Sequence, residues 1–175
     1  MSNVNKLSDF GYAFQIKLIA ILFKDRLFLQ QIIDILDSSY FESESNIVIL
    51  DMIKDYFKEY GTVPTLEAMK VKIVEIENDL LKKSIAENIK SAFQQMESDD
   101  LAFVKEKALE FCKNQEIKKA IVESVELLNR GDYDLIKAKV DNALKAGVEK
   151  DVGHEYIEHV DERYEESVRN TITTG

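Results

Sequence analysis

The sequence predicts an all-α fold: a small helical bundle, then a long helical hairpin, then a separate C-terminal linker helix. Two observations carry this. Only one proline and six glycines interrupt 175 residues, and charged residues are threaded through the apolar ones at spacings of three and four, the period of an amphipathic helix. With 45% of its residues hydrophobic, a chain of this length can bury a core of its own.

The first periodic segment runs from Tyr12 to Phe23, with Phe14, Leu18 and Ile21/Leu22 on one stripe. Lys24-Asp25-Arg26 marks a turn, and a second segment carries Leu27, Ile32, Ile33 and Leu36. The patch from Asp37 to Ser43 breaks the pattern with side chains that bond their own backbone. Ile47, Leu50, Ile53, Tyr56/Phe57 and Tyr60 then resume a helical face that Gly61 stops. Thr65 follows the single proline, Pro64, and is placed to cap a short helix with Leu66, Met69 and Ile73. A further helix spans Asp79 to Met96, with Leu81, Ile85, Ile89 and Phe93 four apart.

Ser98-Asp99-Asp100 is placed to cap the longest pattern, Leu101 to Arg130, about 45 Å if straight. Gly131-Asp132 ends it and caps the returning segment, where Leu135/Ile136, Val140 and Ala143/Leu144 share a face. The long arm has two stripes. Val104, Ala108 and Phe111, with Leu101, form one, and Ile117, Ile121, Val125 and Leu128 form the other, the polar run 113–116 shifting the phase between them. One short returning helix cannot cover both. The second surface packs either on the body of the domain or on a second copy of the hairpin, and the residues of both stripes are the candidates for self-association. Beyond Gly147, residues 148–153 read as a linker. An acidic amphipathic helix follows, with Ile157, Val160, Tyr164 and Val168 on its apolar side as candidates for docking. The expected division is therefore 1–147, with the bundle at 10–97 and the hairpin at 99–146, followed by a linker unit at 148–175, whose end reads as a cut through a longer chain.

Composition excludes several functions. With 23 Lys and Arg against 33 Asp and Glu, the net charge is −10, the wrong sign for a phosphate backbone, so little direct nucleic-acid binding is expected. Lys82-Lys83 and Lys118-Lys119 are isolated doublets, not a basic track. No apolar run is long enough to span a membrane, and a lone cysteine, Cys112, cannot form an internal disulfide. This combination reads as a cytoplasmic protein. His154 and His159 stand five apart, whereas a zinc-protease helix needs them four apart, and Tyr156 occupies the place of a di-iron glutamate. No glycine spacing makes a phosphate loop, Cys112 sits among apolar neighbours, and Asp25, Asp34, Asp51 and Asp55 have no partner histidine. No catalytic residue, metal ligand or cofactor is expected in this chain.

The order of elements resembles the N-terminal half of a DnaB-type replicative DNA helicase, closest to the T-even-type phage version. Three stretches carry the resemblance: Tyr40-Phe41-Glu42-Ser43 with the later Tyr60-Gly61-Thr62-Val63-Pro64-Thr65; the hairpin from Phe103-Val104-Lys105-Glu106 to Asn142-Ala143-Leu144; and Val152-Gly153-His154-Glu155. They span most of the chain, but each is short. The resemblance implies that the hairpins pair, that three pairs form a collar on a hexameric ring, and that the linker helix docks on the neighbouring subunit's motor domain. It implies primase and a helicase loader as partners, ATP and Mg for a motor domain absent here, and host cytoplasm as the location for a phage protein. Three other readings remain: a free-standing acidic helical adaptor that binds a replication protein, a metal-dependent helical-bundle enzyme, and an acidic DNA mimic.

Overall fold

A computed structural model of the chain describes residues 6–148, and within them the fold is all-α. After a short 3-10 turn at Leu7–Phe10 come α1 (Tyr12–Lys24), α2 (Arg26–Ile32), a second 3-10 turn at Ser38–Tyr40, α3 (Glu44–Tyr60), α4 (Leu66–Val74), α5 (Asp79–Gln94), α6 (Leu101–Arg130) and α7 (Tyr133–Lys145).

α1 is the axis of the bundle. Lys17 is the one charged residue between Tyr12 and Phe23, and the helix is buried all round, Ile16, Leu18 and Ile19 as fully as the anticipated Phe14 and Leu22. A helix apolar on every side needs neighbours on every side. α2, α3, α5 and α6 supply them, with α4 packed on the outside of α5 and α7 on α6. Aromatic rings lock the ends of α1: Phe14 stacks on Phe10 at 4.6 Å and Phe23 lies 4.9 Å from Phe93 of α5.

Local signals set most of the boundaries. The Asp25 carboxylate accepts from the Phe28 amide at 2.9 Å, Thr65 Oγ1 from Ala68 at 3.2 Å, and Asn78 Oδ1 from Leu80 and Leu81 at 3.0 and 3.1 Å. Each satisfies amide donors that a helix start leaves free. Gly61 and Gly131 end α3 and α6 with φ of 67° and 77°, where a Cβ would be strained. Two expected caps fail. Asp100 precedes α6 without a side-chain cap and pairs instead with Lys17 of α1 at 2.6 Å, while Asp132 makes no cap bond for α7.

One buried polar cluster crosses the bundle. Asn88 of α5 donates to Asn46 Oδ1 at 2.8 Å and Ser45 Oγ at 3.0 Å, and accepts from the Tyr12 hydroxyl at 2.7 Å. Asn46 in turn donates to Gln15 Oε1 at 3.3 Å. The four bonds tie α1, α3 and α5 at one register. Asn88→Leu strands the buried Asn46 carbonyl, while the exposed Tyr12 hydroxyl turns to water, so stability should fall by about 1–3 kcal/mol. Urea unfolding checks this, and a change below 1 kcal/mol (roughly one ordinary hydrogen bond) would show that the cluster does not fix the bundle.

A second tie joins α6 to the α1–α2 junction, where Lys105 Nζ bonds the Asp25 carboxylate at 2.6 Å. Burial acts to raise the Asp25 pKa, but the bonds from Lys105 and Phe28, with the Lys105 charge, outweigh it and hold the carboxyl below its ordinary value. A depressed folded pKa contributes stability above the unfolded value that is lost as pH falls through the folded one. Asp25→Asn should therefore lose stability less steeply than the parent below about pH 4 in acid unfolding. Equal slopes would assign the acid sensitivity elsewhere.

Candidate self-association surface

α6 is one unbroken helix with two different surroundings. Val104, Ala108, Phe111 and Cys112 of its first half lie in the main core, where the Phe111 ring meets Tyr40 edge-on at 5.2 Å and Phe10 at 6.2 Å. This corrects the expectation for three residues. Val104, Ala108 and Phe111 are buried in the chain's own bundle, where α1 and α2 pack on α6, and offer no surface for a second hairpin. Cys112 is a core residue as anticipated, its thiol pushed up to about 12 by burial first and Glu116 second, far from the range of a reactive cysteine.

Past Cys112 the helix leaves the core, and α7 is its chief companion. The buried positions here are small, Ala120 on α6 and Ala143 on α7, which lets the two backbones approach closely. Leu127, Ile136 and Val140 are half-buried along the same seam. Glu123 and Lys139 form an ion pair across the two antiparallel helices. At the open end, Gln31 donates to the Gly147 carbonyl at 2.8 Å, and a Cβ on Gly147 would come within 2.8 Å of Ile35 and Leu109. The arm is thus rooted in the bundle.

The two flanks of the arm differ. Lys119 lies one turn before Glu123 on the same flank and reaches back over the Tyr40 ring, at 5.5 Å, and toward Asp37, at 3.9 Å. That flank faces the bundle. At about 100° per residue, Ile121, Val125 and Leu128 fall on the other side of the seam and face away from it. All three are exposed, at 56, 57 and 57%, with Ile117 half-buried at the base of the row. Across the seam from Lys139, α7 turns Tyr133 and Leu144 toward the same side, both exposed. Contiguous large apolar side chains at this exposure mark a contact surface.

Four of the seven expected self-association residues, Ile117, Ile121, Val125 and Leu128, therefore share this outer flank. The expected α7 face divides: Ile136, Val140 and Ala143 close the hairpin, Leu144 joins the flank and Leu135 lies on the ion-pair side. Tyr133, which sequence reading passed over, extends the patch, whereas Val122, also exposed, points roughly opposite the seam. The signal for Tyr133 was available, since it stands three residues before Ile136, at helical spacing beside the seam. The linker-helix candidates Ile157, Val160, Tyr164 and Val168, and both histidines, lie outside the described residues.

Other features of the described residues carry no evident chemistry. No group of three or more His, Cys, Asp or Glu among them could hold a metal ion, and no helix among them is long and apolar enough to cross a membrane. In the cleft between the α1–α2 junction and the start of α6, each cation is engaged: Lys24 with Glu97, Lys105 with Asp25, and Arg26 with the Gly61 carbonyl. No known protein family, curated protein or solved structure matches the chain.

Proposed function

We propose that this chain is the N-terminal collar and linker region of a hexameric replicative DNA helicase of the DnaB type, its α6–α7 hairpin pairing subunits and the ring assembling as a trimer of such dimers. The observation that carries the reading is the outer flank of the hairpin, where Ile121, Val125 and Leu128 stand exposed on an arm rooted in the bundle and turned away from it. An arm that spends large apolar residues on solvent is stabilised by meeting its own copy. The all-α fold and the motif order described above accord with the reading. The acidic surface fits a collar that neither grips nor impedes the strand handled by the motor.

In this reading the segment around Ile157, Val160, Tyr164 and Val168 docks on the neighbouring subunit's motor domain, and primase and the helicase loader bind the collar in the cytoplasm. The chain contributes assembly and recruitment, while ATP and Mg serve the motor domain. Reading the coding sequence beyond the codon for Gly175 tests this. A G-x-x-x-x-G-K-[ST] loop in a strand-helix setting is the expected result. A stop codon directly after Gly175 would overturn the proposal in favour of an acidic helical adaptor.

A further inference from the structure

On the face of the bundle remote from the hairpin, α4 and α5 enclose an open apolar groove of about 530 Å³. Leu66, Ile73, Ile89 and Phe93 line it, and Lys70 and Lys90 stand exposed at its rim with no ion-pair partner among the described residues. No carboxylate lines it. Nothing in the assembly reading above uses this groove.

A matching occupant is present in the chain itself. Residues 149–175 carry eight Asp and Glu against three Lys and Arg. Wound as the helix that their pattern predicts, they would place Ile157, Val160, Tyr164 and Val168 on one stripe, with Glu158, Asp161 and Glu165 along one edge of it. An apolar stripe with an acidic edge complements an apolar groove with a lysine rim, in the manner of a helix laid in a groove. We propose that the α4–α5 groove binds this acidic segment from a neighbouring copy of the chain.

The donor is a neighbour because the tether is short. Gly147, where the segment leaves the fold, packs on Ile35, Leu109 and Lys113 at the α2–α6 side, and α1 and α5 stand between that side and the groove. The stretch from Val148 to His154 spans at most about 20 Å. A stripe of this kind fills one groove at a time, so the contact belongs to the state in which no motor domain holds the segment.

Mixed cross-linking tests the proposal on the full 175-residue chain. Unlabelled and ¹⁵N-labelled copies are combined and treated with a carbodiimide, which joins amines to carboxylates in direct contact. The expected products join Lys70 or Lys90 to Glu158, Asp161 or Glu165 with one light and one heavy partner, and Tyr164→Asp lowers their yield about tenfold. Absence of these products, products confined to single copies, or a yield indifferent to Tyr164→Asp would overturn it. Ile121→Asp should leave the products in place, so a failure here is distinct from a failure of hairpin pairing.

Discussion

Ile121→Asp is expected to turn an associated chain into a monomer that melts within a few degrees of the parent. The side chain is 56% exposed in the single subunit, so the folded monomer loses little beyond helix propensity, a few tenths of a kcal/mol. In a two-fold pairing of hairpins the same substitution enters the interface twice. Each carboxylate would have to leave water for the apolar row formed by Val125 and Leu128, at a cost of a few kcal/mol per dimer. This corresponds to a hundredfold or greater rise in the dissociation constant, at about tenfold for each 1.4 kcal/mol. Light scattering over a concentration series measures it, with thermal melting by circular dichroism as the control. Leu135→Asp, equally exposed but on the ion-pair side, should leave the mass unchanged. An Ile121→Asp chain as oligomeric as its parent would remove the outer flank from the assembly.

How much of this surface was legible beforehand depends on what periodicity can report. The 3.6-residue period of α6 reveals two apolar stripes and the phase shift at residues 113–116, and the structure contains both. Periodicity does not say which stripe the chain covers for itself. Val104, Ala108 and Phe111 are indistinguishable in pattern from Ile117, Ile121, Val125 and Leu128; only the arrival of Phe10 and Tyr40 against Phe111 decides, and those contacts are far apart in sequence. The caps divide in the same way. Thr65 bonds an amide three residues away, an outcome set locally, whereas the Asp100 carboxylate is drawn off by Lys17, 83 residues distant. α1 shows the converse, since a stretch with Lys17 as its one charge already implied burial on every side rather than a single stripe.

Phe111→Ala should be the most damaging single truncation of α6, and its effect separates the core from the arm. The ring is 4% exposed and makes edge contacts with both Tyr40 and Phe10, so its removal opens a cavity lined by aromatic rings from the two 3-10 turns. Neither turn is long enough to close inward as a rigid body, and the neighbours can relax only in part. Loss of transfer energy plus the residual cavity costs about 3–5 kcal/mol for a buried Phe, a substantial share of the 5–15 kcal/mol that holds a domain of this size together. Denaturant unfolding should show the midpoint falling with little change in slope. If Phe111 instead belonged to the contact between copies, as its stripe alone suggested, the loss would appear as dissociation at unchanged monomer stability. The fold places it on the other side of that distinction: Phe111→Ala lowers the unfolding midpoint at protein concentrations where the chain is already monomeric, whereas Ile121→Asp there does almost nothing.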